Sequence, residues 1–170
     1  FYGYDYRGHG HTPTGATYEF MDLVRDLDAF VRFVCQRESK TPADLFVVAN
    51  SVAGVVASTW VHDFAPRIAG MALVAPAFEI KLYVPLAKPS LDLMTRFFPR
   101  MNIQSYVKAK FLTHDTAEQE RYNTDPLITP NIPARQLVTL LDTARRVVDD
   151  AGAIVVPTLV FSAMSDYVVG

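Results

Sequence analysis

The chain of 170 residues carries one cysteine, Cys35, so it can form neither an internal disulfide nor a cysteine-built metal site. Beside Phe33 and Val34, that thiol reads as helix packing. No uninterrupted apolar run of about eighteen residues occurs, and no segment therefore reads as a membrane-spanning helix. A basic stripe is missing too. Acids and bases are interspersed and the net charge is −2, which argues against binding nucleic acid or an anionic membrane. The chain opens on FYGYDYRG, without methionine or a basic leader, and SDYVVG halts directly after a turn. Both ends read as cut, and the expectation is an internal fragment of a longer protein. What is present, 50% hydrophobic and 20% charged residues, suffices for one domain with a substantial core.

The chain is organised around residues 45 to 60, LFVVANSVAGVVASTW. Four apolar residues from Leu45 to Val48 suit a strand buried on both faces of a parallel sheet. Ala49, Asn50 and Ser51 leave no room for a long connection before a helix-compatible run begins. A serine at such a turn has its Oγ lifted off the strand end, and the next backbone N–H, that of Val52, can point at a developing oxyanion. This is the geometry of a nucleophile elbow. The usual G-x-S-x-G pattern has glycines two positions either side of the serine; here those positions are Ala49 and Ala53, with Gly54 one further on. The alternative reading of the same residues is a serine that caps the helix.

Elsewhere the periodicity alternates between strand and helix. Residues 1 to 6 have the aromatic character of a short strand, followed by the Gly-, Pro- and Thr-rich loop RGHGHTPTG. Phe20, Leu23, Val24, Leu27, Val31 and Val34 form a helical stripe that Lys40-Thr41-Pro42 breaks. The elbow helix is expected to run to about Asp63, and residues 68 to 75, closed by Pro76, read as another buried strand. Residues 77 to 133 interrupt the alternation. They hold repeated prolines and the apolar series Leu82 to Phe98, with no sheet strand evident, as in a lid-like insertion with short helices. Leu137, Leu140, Leu141, Ala144, Val147 and Val148 restore a helical stripe, and VVPTLVFSA makes the next strand, ending in Met164-Ser165-Asp166. This β-α-β order predicts an α/β fold: a mainly parallel sheet, helices on both faces, and ligands at the carboxyl ends of the strands.

Three motifs stand in one order: YDYRGHGHT at 4 to 12, ANSVAG at 49 to 54 and FSAMSDYVV at 161 to 169. Together they resemble the α/β-hydrolase superfamily, most closely its monoacylglycerol lipase and lysophospholipase-like branch of the serine aminopeptidase S33 type. The D-x-R-G-H-G-x-S loop of that branch is matched by Asp5, Arg7, Gly8, His9 and Gly10, with Thr12 for the serine. YNTDPL at 122 to 127 resembles the return from the branch's cap.

The resemblance implies a partial α/β-hydrolase fold in which 1–76 and 134–170 are two parts of the core and 77–133 is a helical cap. It implies Ser51 as nucleophile, Val52 N–H as one oxyanion donor and Asp166 as the triad acid, with no metal and no organic cofactor. The chemistry agrees, since a serine hydroxyl needs a histidine to take its proton and an aspartate to orient that histidine. The alternative reading of Asp166 is an aspartate that caps a turn. The family's histidine follows the acid and lies beyond Gly170; His9, His11, His62 and His114 do not match its position. The loop carrying the second oxyanion donor is also absent.

The expected activity is cleavage of a lipid or acylglycerol-type ester. A peptidase, a haloperoxidase-like hydrolase or a non-catalytic binding member of the fold are the alternatives. The expected partner is a small-molecule or lipid ester, in the cytoplasm or at the periphery of a membrane. The fold that the chain resembles adds one expectation: residues 1 to 6 should lie about 10 Å from 45 to 49 and form no ladder with them, because the strand that separates them in that fold is missing here.

Overall fold

The computed structural model describes residues 1–13, 18–105, 107–163 and 166–169. In chain order the elements are α1 Phe20–Glu38, β1 Phe46–Asn50, α2 Val52–Phe64, β2 Gly70–Val74, α3 Ala87–Phe97, β3 Asn102–Gln104, α4 Ala109–Leu112, α5 Thr116–Thr124, β4 Asn131–Pro133, α6 Ala134–Asp149 and β5 Thr158–Phe161. Thr14 and Gly15 of the sequence-read loop, and Met164 and Ser165 of the acid motif, lie outside the described residues.

Val55, Val56, Ala57, Ser58, Thr59 and Trp60 follow one another along α2, so apolar or small side chains ring the whole helix, and such a helix is stable only when surrounded. It is surrounded: α1 and α6 pack on it and β1 runs beneath it. Trp60 is fully buried and its indole N–H donates to Asp28 Oδ1 on α1 at 3.0 Å, so the largest core side chain is also hydrogen-bonded. The α1 stripe is buried at Phe20, Leu23, Val24, Val31 and Val34, and Cys35 lies in the same core. On α6, Leu137, Leu140, Ala144 and Val147 are buried while Val148 is exposed.

The three-stranded sheet has the order β1-β2-β5, and both ladders are parallel. Register sets Val48, Ala72 and Leu159 side by side, and Ala49, Leu73 and Val160 on the opposite face. Ala49, Met71 and Leu73 are buried in the cluster shared with the helices. The intervening residues are open: Phe46 is 77% and Val48 68% exposed, and Leu159 and Phe161 are exposed as well. The expectation that Leu45 to Val48 is buried on both faces is thus corrected. Among the described residues β1 has β2 as its one ladder partner, and nothing lies over Phe46 and Val48.

A second correction concerns residues 1 to 6, which form no strand. The Tyr4 ring instead packs 4.5 Å from the Phe30 ring of α1, and the Tyr6 ring lies 5.4 Å from Tyr4. As expected, no ladder joins them to β1. A third is a short antiparallel ladder, β3 with β4, inside the 77–133 stretch where no strand was expected. It brings the two ends of the α4–α5 excursion together, after which Pro133 stands at the N-cap of α6.

Candidate active site

At the end of β1 the chain reverses into α2 through one residue. Ser51 has φ 53° and ψ −120°, a region that residues with a Cβ rarely occupy, and holding it there costs about 1–3 kcal/mol. The neighbouring bonds impose it. Ser51 N–H donates to Val74 C=O at 2.9 Å, and Ser51 C=O accepts from Gly54 N–H at 2.9 Å and Ala77 N–H at 3.0 Å. Its hydroxyl makes no capping bond, so the helix-cap reading is not what the serine does. Val52 is the first residue of α2, so its N–H is among the four that have no acceptor within a helix.

The missing elbow glycines are explained by where strand and helix touch. Ala49 fits, buried, at the end of β1. The closest approach is at Gly54, where a Cβ would lie 2.7 Å from Pro76 Cβ and 3.1 Å from Pro76 Cα. The position that must be glycine has moved one residue along the helix, and its neighbour is the chain leaving β2.

Asp166 lies past the end of β5. Its Oδ1 accepts Val168 N–H at 2.7 Å and Val169 N–H at 2.9 Å, so the carboxylate does close its own turn, and both of these bonds fall on one oxygen. The turn is bound in turn to the first residues after β2. Ile80 bridges Val169 in antiparallel fashion, Lys81 N–H donates to Val168 C=O at 3.0 Å, Lys81 Nζ donates to Asp166 C=O at 2.7 Å, and the Tyr83 hydroxyl donates to Tyr167 C=O. No sequence pattern marked Lys81, and Tyr83 stood out only within the apolar series, because each partner is more than eighty residues away.

Because β2 stands between β1 and β5, Ser51 and the Asp166 turn sit at the carboxyl ends of strands separated by two ladder spacings, about 10 Å. Against the Asp166 turn lies a cavity of 150 Å³ lined by Ala75, Pro76, Phe78, Val160, Asp166 and Val169.

The four histidines are engaged elsewhere or exposed. His9 Nδ1 lies 3.1 Å from Arg7 C=O, and exposed His11 gives its backbone N–H to Asp5 Oδ2 at 3.0 Å. His62 sits between Asp63 and Asp150, and His114 is exposed. None hydrogen-bonds Ser51 or Asp166 among the described residues. The loop motif has local work: Arg7 Nε donates to Asp26 Oδ2 at 2.7 Å and ties the loop to α1, while a Cβ at Gly10, φ 53°, would strike Asp5 at 2.4 Å. Burial pushes the Tyr6 hydroxyl up to about 12, so this phenol stays neutral. Among the described residues no group of His, Cys, Asp and Glu could hold a metal ion, and no helix is long and apolar enough to cross a membrane.

The family described as "Serine aminopeptidase, S33" matches residues 1–170. The uncharacterized protein YnbC of Escherichia coli (strain K12) is 44% identical over 171 residues, covering 99% of this chain and 29% of its own length. Two solved structures superpose well: a monoacylglycerol lipase of Paleococcus ferrophilus (TM-score 0.79, 20% identity, 92% of this chain, 59% of that one) and a monoglyceride lipase of Saccharomyces cerevisiae (0.77, 19%, 98% and 59%). The chain therefore spans under a third of the curated relative and under two thirds of these structures. At such identities the structures establish the fold, which is the α/β-hydrolase one. With the strained serine at a strand's carboxyl end, the Asp166 turn beyond a strand two places along the sheet and a family match along its whole length, the chain belongs to the serine aminopeptidase S33 family of α/β-hydrolases.

Proposed function

We propose that the complete protein carrying this chain is a serine hydrolase that cleaves carboxylic esters, of a lipid or acylglycerol type, through an acyl-enzyme on Ser51. The observation that carries this reading is Ser51 itself, held at φ 53° between β1 and α2 with no capping bond. A strained residue held in place by three backbone hydrogen bonds is typical of a functional position. In this mechanism a histidine from outside these residues takes the Ser51 proton as Oγ attacks the ester carbonyl, and Asp166 orients and stabilises that imidazole through its second oxygen. Val52 N–H supplies one oxyanion donor at the positive end of α2, and the leaving alcohol departs with the proton from the imidazolium. Water then repeats the sequence on the acyl-enzyme. No step calls for a metal or an organic cofactor.

The lipid character rests on residues 77 to 133, which we assign as a cap over Ser51. Tyr83, Val84, Leu86, Leu93, Met94, Phe97 and Phe98 are all exposed there, apolar side chains suited to an acyl chain. The two lipase structures named above share the arrangement of elements. An alkyl fluorophosphonate should label the complete gene product and spare Ser51→Ala, whose ester turnover should fall on the order of 10⁴–10⁶-fold. Labelling that survives Ser51→Ala would move the nucleophile elsewhere.

A further inference from the structure

We propose that Lys81 is a positioning residue for Asp166, through which the first residues of the 77–133 stretch hold the acid turn in its working orientation; this rests on the Ser51–Asp166 reading above. Asp166 lies beyond β5, so the sheet ladder does not fix it. Its Oδ1 is held by the N–H groups of Val168 and Val169, and those peptide units are positioned by Ile80 and Lys81 in turn. The backbone bonds at Ile80 and Lys81 would survive any side chain. The bond to Asp166's own peptide would not, because it comes from the Lys81 ammonium at 2.7 Å. A charge-assisted bond of this kind is about twice as strong as a neutral one.

The choice of acceptor matters chemically. This bond spends the ammonium on the main-chain carbonyl, so the bond that fixes the turn does not occupy the carboxylate. An ammonium bonded to the carboxylate would compete with the imidazolium that an acid of this kind has to stabilise. Lys81 is half-buried and Tyr83 anchors the adjacent carbonyl of Tyr167, so two neighbouring side chains tie the start of the insertion to the turn. Displacement of residues 80 to 83 would therefore displace the acid, and a misplacement of about 1 Å costs about 10²-fold in rate.

The test uses Lys81→Met, which keeps the stem and removes the ammonium, and Lys81→Arg, which restores a charged donor, in the complete gene product. For Lys81→Met we expect kcat on an ester to fall about 10- to 100-fold with KM within about twofold, faster hydrogen exchange at the Val168 and Val169 amides, and a retained thermal transition. Lys81→Arg should recover most of the rate. Fluorophosphonate labelling, kcat and amide exchange at wild-type values in Lys81→Met would overturn the proposal. So would loss of the thermal transition, which would make the role structural. If the wild-type protein takes no label, the Ser51 reading has failed, and the amide exchange alone then decides whether Lys81 holds the turn.

Discussion

Trp60 and Phe97 are both large aromatic residues on helices, yet the molecule uses them in opposite ways. Trp60 is fully enclosed among α1, α2 and α6 and its one polar atom is bonded to Asp28. Phe97 is 68% exposed, at the end of an α3 that packs on α6 and is joined to it by the Lys88–Asp142 ion pair. The helical core turns apolar surface into stability. The 77–133 stretch leaves its apolar surface available, as a segment must if a substrate is to use it.

The contrast breaks most sharply by truncation. Trp60→Ala should destabilise by about 3–5 kcal/mol, while Phe97→Ala should change stability by less than about 0.5 kcal/mol, both read by denaturant unfolding. A loss above about 2 kcal/mol for Phe97→Ala would place Phe97 in a core. In activity the ranking should reverse toward the substrate. The double variant Phe97→Ser, Phe98→Ser should lose more rate on long acyl esters than on acetate, by about fourfold for each methylene deprived of apolar contact, since one methylene is worth about 0.8 kcal/mol. Equal losses on both chain lengths would show that these rings only hold the insertion together.

The smallest effect sharpens the core side. His62 bridges Asp63 at 2.6 Å and Asp150 at 2.9 Å, while Arg146 clasps Asp63 through two bonds of 2.8 Å. The bond to Asp63, then that to Asp150, raises the imidazole's pKa above its ordinary 6.5, against burial and the Arg146 charge. Arg146 chiefly, with His62, holds Asp63 low, so the carboxylate stays charged. A raised folded pKa means that His62 contributes fully below pH 6.5 and that its contribution is lost as pH rises through the higher folded value. The Tm deficit of His62→Gln should therefore be larger at about pH 6 than at about pH 9, by about 3 °C or less. A pH-independent deficit would leave only packing.

How far the sequence could be read depended on whether the signal was local. The stripes of α1 and α6 and the elbow at Ser51 are statements about neighbours three or four apart, and periodicity records these. Tyr2, Tyr4 and Tyr6 alternate like a strand, yet alternation says which face is apolar and not whether a partner strand exists; among the described residues there is none, and the Tyr4 ring packs on Phe30 of α1 instead, with the Tyr6 ring against Tyr4. Phe46 and Val48 mislead for a related reason, since an apolar run reports the demand for cover rather than its presence. The β3–β4 ladder is hidden by brevity, each strand spanning three residues with Pro133 at one end. Ser51 and Asp166, the residues proposed for the site, were singled out by motif order, whereas Gly54 emerged as the crossing point only once Pro76 lay against it. Lys81 had no local signal at all.

The 85-residue separation between Lys81 and Asp166 also bears on the order of assembly. β1 and β2 can pair as soon as the intervening α2 has formed, whereas the acid turn must wait for β3, β4, three short helices and α6 to be traversed. Loop closure costs only about 0.6 kcal/mol for each doubling of length, so the delay is a matter of kinetics more than of final stability. During folding the strained turn at Ser51 can thus form before the turn at Asp166 has anything to dock on, and a chain caught midway carries the one without the other.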